Sequence, residues 1–121
     1  MNIILTVGNH MTMLEELEKE LTEICPEAKI IKETDALMAG KYAFNNEVDT
    51  VFAEADMKRM NGLQLIQFVR HEHPDVKSYL IGSGRDFSES FLTVSEDVTG
   101  LLTYPFTEDS VKATVTRDGD K

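Results

Sequence analysis

The sequence predicts an α/β domain, a parallel sheet with helices on both faces. Five short apolar runs, at 3–7, 29–32, 49–53, 76–81 and 100–103, have the length and residue types of strands. Each is followed by a segment of helical spacing, and such alternation favours parallel pairing through crossovers. The runs are apolar almost throughout, which fits strands covered on both sides. A chain of 121 residues holds one domain with one core. That domain is placed at 1–116, with a polar, frayed tail at 117–121.

The elements follow in order. The first strand, 3–7, is rich in β-branched residues. Met13, Leu14, Leu17, Leu21 and Ile24 then recur three and four apart, the stripe of an amphipathic helix. Thr12 and Glu15 have capping-box spacing ahead of it, and Pro26 ends it. After the second strand, Asp35 caps a helix with Ala36, Leu37, Ala39, Tyr42 and Ala43 on or near its buried side. Gly40 weakens that helix by about 1 kcal/mol relative to alanine. After the third strand, Asn61 caps a third helix, with Gln64 as its reciprocal partner. Leu65, Ile66, Phe68 and Val69 face the sheet. A short fourth helix is expected at 88–95. After the fifth strand, Thr107 caps a fifth helix whose apolar positions are Val111 and Val115.

Composition excludes several functions. Twelve basic against 22 acidic residues give a formal charge of −10, and no basic cluster exceeds Lys58-Arg59. A nucleic-acid surface needs a basic face, so direct binding by this chain is not expected. No run approaches the roughly 18 apolar residues of a membrane helix, and the N-terminus lacks a signal peptide's basic region. Cys25 is the single cysteine; it reads as a packing residue at a helix end rather than a reactive thiol, and a reducing compartment is expected. His71 and His73 lie two apart and cannot share a helical face, so they make a poor metal pair.

Ligand chemistry in such sheets lies beyond the carboxyl ends of the strands. The residues there are Gly8, Asn9 and His10, then Glu54, then Gly82 and Ser83, then Tyr104. Residues 51–63 run strand, loop, capped helix, with Glu54, Met57, Lys58, Met60, Asn61 and Gly62 at informative places. Residues 100–108 close with Leu101, Thr103, Tyr104, Pro105 and Phe106. Both segments resemble the receiver domain of two-component response regulators, and the resemblance covers nearly the whole chain. It implies a flavodoxin-like (βα)5 three-layer sandwich with a five-stranded parallel sheet, order 2-1-3-4-5. It also implies a cytoplasmic role in phosphorelay signalling.

In that family two acidic residues and an aspartate hold magnesium, which neutralises the transferring phosphoryl group. Here every functional position is substituted. The acidic pocket falls on Gly8 and Asn9, and the phosphoacceptor position on Glu54. The extra methylene of Glu54 moves its carboxylate by more than about 1 Å, enough to spoil an in-line transfer. The hydroxyl switch position is Gly82, with Ser83 beside it; the aromatic switch position is Leu101; the lysine position is Tyr104. The resemblance therefore implies an atypical pseudo-receiver, not an enzyme, with no catalytic residue, no cofactor and a pocket poorly suited to magnesium.

Three readings of Glu54 stay open: a phosphoryl acceptor, a mimic of a phosphorylated aspartate, or a solvated polar residue at a loop start. Function has three readings as well. The leading one is a signalling module that acts without phosphorylation, through a protein partner or a homodimer. The family's interaction face, formed by its fourth helix, fifth strand and fifth helix, would comprise Phe91, Thr103, Tyr104, Val111 and Lys112. The second is a phosphorylatable receiver with substituted ligands, or the regulatory half of a transcription regulator whose effector domain is absent. The third is a small-molecule binder or enzyme using Asn9, His10, Glu54 and Ser83.

Overall fold

Five strands pair in parallel: β1 (Ile3–Val7), β2 (Lys29–Glu33), β3 (Thr50–Glu54), β4 (Lys77–Gly82) and β5 (Gly100–Thr103). Their order is β2-β1-β3-β4-β5, as expected. The structure is a computed structural model, and it describes residues 2–57, 60–82 and 98–119. Four helices lie among those residues: α1 (Met11–Ile24), α2 (Ala36–Asn45), α3 (Gly62–Glu72) and α4 (Glu108–Gly119). The helix expected at 88–95 lies outside the described residues. The helix expected fifth is therefore α4, and its backbone continues to Gly119, into the segment expected as tail.

The sheet divides the core in two because successive strand residues point to opposite faces. Leu5 and Val7 of β1, Val51 and Ala53 of β3, and Leu80 of β4 pack beneath α2 and α3. Ile4, Phe52, Tyr79, Ile81 and Leu102 pack beneath α1 and α4. Phe52 and Tyr79 are register partners, and their rings stack with centroids 4.8 Å apart. Central strands are buried along nearly all their length, whereas the edge strands β2 and β5 are partly open. Continuous apolar runs thus mark the strands covered twice.

Helix ends follow local chemistry, with one correction. The Asp35 carboxylate accepts from the Leu37 N–H at 2.9 Å and starts α2. Asn61 and Gln64 form the expected reciprocal cap of α3: the Asn61 side chain accepts from Gln64 N–H at 2.8 Å, and Gln64 accepts from Asn61 N–H at 3.0 Å. Thr107 and Ser110 make a similar exchange at the start of α4. At α1 the expected pair Thr12 and Glu15 does not cap. The helix begins earlier, at Met11, with His10 as an extended N-cap that offers no side-chain bond. Both Thr12 and Glu15 are therefore inside the helix.

Inner faces are largely as the spacing predicts. Met13, Leu14, Leu17 and Leu21 of α1 are buried, as are Ala36, Ala39 and Ala43 of α2 and Leu65, Ile66 and Val69 of α3. Two residues differ. Leu37 is 48% exposed and Phe68 is 38% exposed. Each lies one position off its helix's buried stripe, so the 100° step per residue turns it outward.

Candidate functional site

The carboxyl ends of β1 and β3 lie side by side, since Val7 pairs with Ala53. The chain leaves β1 through Gly8 and Asn9 and leaves β3 at Glu54, so these three residues meet. Glu54 is the last residue of β3 and half-buried, not a solvated loop residue. Its carboxylate oxygen Oε1 accepts from the Asn9 backbone N–H at 2.7 Å. The Asn9 side chain reaches the other way, and its amide nitrogen Nδ2 donates to the Asp56 carbonyl at 2.8 Å. Two hydrogen bonds thus tie the loop after β1 to the end of β3 and to the loop that follows it.

Gly8 is buried beneath this tie. A Cβ there would stand 2.4 Å from the Met13 terminal methyl and 2.9 Å from Glu54 Oε1. The volume that a side chain would need at this position is therefore already taken by Met13 and Glu54. Gly62 closes the site from the other side. A Cβ on Gly62 would lie 2.3 Å from the Glu54 carbonyl oxygen, and the Gly62 N–H donates to the Ala55 carbonyl at 3.0 Å. Glycine lets the start of α3 run against the end of β3.

Tyr104 follows β5. Its N–H donates to the Gly82 carbonyl at 2.9 Å, and its ring meets Phe106 edge to face at 5.0 Å. The phenol donates to Glu16 Oε2 of α1 at 3.1 Å. That bond raises the phenol's pKa above its ordinary value, with Coulomb repulsion from Glu16 and Glu54 adding to the rise. A neutral hydroxyl bonded to the Glu16 carboxylate thus stands at the end of β5.

Magnesium needs several oxygen ligands, arranged as a near-ideal octahedron at about 2.0–2.1 Å. Gly8 supplies none. Asn9 turns its amide nitrogen to the Asp56 carbonyl, and one oxygen of the Glu54 carboxylate accepts an N–H. These residues do not fit the ion. The small-molecule reading finds His10 exposed at the start of α1, with Glu54 bonded to Asn9 instead. The two do not form an acid–base pair, and Ser83 lies outside the described residues.

The expected interaction residues scatter. Thr103 and Lys112 are exposed, and Tyr104 is half-buried against α1; Leu101, expected at the aromatic switch position and not on this face, packs partly into the core beneath α2 and α3. Val111 is corrected: at 0% exposure it belongs to the core beneath α1 and α4 and offers nothing to a partner. Its place one turn into α4 points it at the sheet. Phe91 lies outside the described residues. His71 bonds Glu72, and His73 bonds the Ala43 carbonyl at 2.7 Å, so the two face different partners. Cys25 is the partly exposed C-cap of α1.

Sequence reasoning placed Gly8, Asn9 and Glu54 at one sheet edge. It missed Met13, Glu16 and Gly62 as members of the site. Gly62 carried a signal, being a glycine at the first helical position. Met13 and Glu16 carried none, since each fits an ordinary helix.

No family model matches the chain. A stretch of 68 residues, 56% of the chain, is 32% identical to stress response regulator protein 1 of Lodderomyces elongisporus, and covers 19% of that protein. Solved structures match over nearly the whole chain. The chemotaxis protein CheY4 of Vibrio cholerae superposes with a TM-score of 0.84 at 17% identity, covering 97% of this chain and 98% of that one. The signal receiver domain of an HD domain-containing protein from Pseudomonas fluorescens gives 0.84 at 18% identity, covering 98% and 94%. The receiver domain of AraT from Geobacillus stearothermophilus gives 0.84 at 20% identity, covering 98% and 92%. With its parallel sheet in the order 2-1-3-4-5, the chain has the fold of a response-regulator receiver domain.

Proposed function

We propose that the chain is an atypical receiver-type signalling module that acts by binding a protein and does not accept a phosphoryl group. One observation carries this reading. The carboxylate in the acceptor position is oriented by the fold: one of its two oxygens, Glu54 Oε1, accepts from Asn9 N–H at 2.7 Å. An attacking carboxylate oxygen must be free and aligned with its substrate. Charge neutralisation is lacking too, since the neighbouring positions are a glycine, an amide and a phenol rather than acids holding a metal and a lysine. The similarity to solved receivers supports the fold in which such modules signal.

Reading Glu54 as a permanent mimic of a phosphorylated aspartate has less support. Its charge is directed to a backbone N–H of the next loop, and Tyr104 directs its hydroxyl to Glu16. Exposed Thr103 and Lys112 remain on the proposed interaction face, without Val111.

The test is intact mass after incubation with acetyl phosphate and magnesium, for the native chain and Glu54→Asp. Neither protein should gain a phosphoryl group. A gain by the native chain would refute the reading. A gain by Glu54→Asp alone would show that the pocket is competent and that the longer side chain is what silences it.

A further inference from the structure

The misfit between the strand-end site and a divalent cation goes beyond missing ligands. Gly8 is buried, and its backbone is fixed on both sides. Its own N–H donates to the Glu33 carbonyl of β2 at 3.2 Å, and the next N–H, that of Asn9, donates to Glu54 Oε1 at 2.7 Å. A Cβ on Gly8 would lie 2.9 Å from Glu54 Oε1 and 3.5 Å from Glu54 Cβ, and closer still to the Met13 terminal methyl.

These two neighbours differ in how they can yield. The methyl is the end of an unbranched, adaptable thioether and can turn aside. Glu54 Oε1 is held where it is by the Asn9 N–H, and the Glu54 backbone is held in register against Ile81 of β4. A side chain at position 8 therefore strains the Glu54–Asn9 bond. Glycine leaves the room, and the glutamate, one methylene longer than an aspartate, reaches across to use it.

We infer that Gly8 and Glu54 form one packing unit that shuts a divalent cation out of the strand ends by occupied volume as well as by lack of ligands. A cation bridging these loops would draw oxygens toward itself from both. Here a carboxylate of the chain joins them instead, so the arrangement of the two strand ends does not respond to divalent cations. This pairing rests on the same Glu54–Asn9 bond that carries the proposed function, and adds to it the absence of a cation input.

A double-mutant cycle on thermal stability tests the packing unit. Gly8→Ala should lower the melting temperature by at least about 4 °C, and by less than about half as much when Glu54→Ala is already present. If Gly8→Ala alone does not fold, its recovery by Glu54→Ala carries the same meaning. Equal losses in the two backgrounds, or no recovery, would overturn the inference.

A second comparison separates volume from ligand count. Asn9→Asp, and Asn9→Asp combined with Glu54→Asp, carry the same number of carboxylates and differ by one methylene. Mn2+ alone is the probe, followed by paramagnetic broadening of the amide signals of both loops. The combined variant should bind Mn2+ at least about tenfold more tightly than Asn9→Asp. Equal binding, or none by either, would mean that occupied volume is not what excludes the cation, and would overturn the inference. Neither measurement reads phosphoryl transfer. A mass gain by the native chain would refute the proposed function whatever the melts show, whereas additive melting losses without a mass gain would refute this inference alone.

Discussion

On one side of the sheet, α1 meets water with five glutamates and a lysine; on the other, α2 meets it with Leu37, Met38, Phe44 and a single lysine. Toward the sheet the two helices behave alike. Each lays a stripe of buried residues at three- and four-residue spacing, leucines and a methionine in α1, alanines and a glycine in α2. Burial of the inner stripe is required by the fold, and the strands on each side are equally apolar. The outer stripe is under no such requirement. A largely charged outer face, as on α1 beyond Met11, does what solubility asks. An apolar outer face costs solubility and asks for another explanation.

The largest expected effect tests whether inner and outer apolar residues differ energetically as they do in exposure. Leu17 of α1 is fully buried, and Leu17→Ala should destabilise by about 2–5 kcal/mol through lost transfer energy and a cavity. Phe44→Ala on the outer face of α2 should change stability by less than about 0.5 kcal/mol despite removing a larger side chain. Urea unfolding of both variants measures this. A Phe44→Ala cost close to that of Leu17→Ala would mean that Phe44 packs within this chain, and the contrast between inner and outer faces would fail.

Much of this contrast was legible in the sequence. The period of three and four found the inner stripe of α1, and continuous apolar runs found the twice-covered strands. Leu37 and Phe68 were misplaced because hydrophobicity alone assigned them to the core. An apolar residue facing outward has the same composition as one facing the sheet, and only the backbone angle separates them. The site edge was half legible. Strand ends in a parallel sheet converge by topology, so Gly8, Asn9 and Glu54 could be placed together. That Glu54 would turn its carboxylate to the Asn9 N–H was hidden, because a backbone donor is present at every residue but proline. The cap of α1 was misread for a related reason: Thr12 and Glu15 have the right spacing, and spacing does not say where the helix starts.

Two glycines sharpen the comparison next. Gly62 lies against β3 and Gly40, on α2, lies against Phe68 of α3. A Cβ on Gly62 would meet the Glu54 carbonyl oxygen, a backbone atom that cannot yield without moving the strand. Gly62→Ala should cost about 1–3 kcal/mol and disturb the Asn9–Glu54 hydrogen bond. A Cβ on Gly40 meets the Phe68 ring at 3.6 Å and Leu65 Cδ1 at 3.9 Å, both ordinary contacts. Gly40→Ala should therefore stabilise by about 0.5–1 kcal/mol through helix propensity and a less flexible unfolded chain. Thermal melts of both variants give the signs. Destabilisation by Gly40→Ala would show that α2 and α3 are packed closer than these contacts imply.

Helix caps give a smaller contrast. Asn61 caps α3 through a reciprocal pair, whereas His10 caps α1 with no side-chain bond. Asn61→Ala should cost about 1 kcal/mol, and His10→Asp should gain up to about 1 kcal/mol by giving α1 the acceptor it lacks. A loss on His10→Asp, read by the same melts, would indicate that a carboxylate beside Glu54 is repelled there more strongly than the helix start attracts it.

The smallest effect concerns the ionisation of Tyr104 on the acidic side of the molecule. The phenol donates to Glu16, which holds its proton in the folded chain beyond the ordinary tyrosine value. Its contribution to stability is present below an ordinary pKa of about 10 and is lost as pH rises through the folded value. The bond between the phenol and Glu16 is exposed, so the contribution is small and the titration itself is the better readout. Carbon-13 NMR of labelled tyrosine separates Tyr104 from Tyr42 and Tyr79. Glu16→Gln should lower the Tyr104 pKa, because an amide oxygen stabilises the neutral phenol less and repels the phenolate less. Glu54→Gln should lower it by a smaller amount, since Glu54 acts only through its charge. If Glu54→Gln moved the titration more than Glu16→Gln, the phenol would face the strand-end site in solution rather than α1. The carboxylate after β3 and the hydroxyl after β5 would then form one polar cluster, and the separation drawn between a tied Glu54 and an outward Tyr104 would fail.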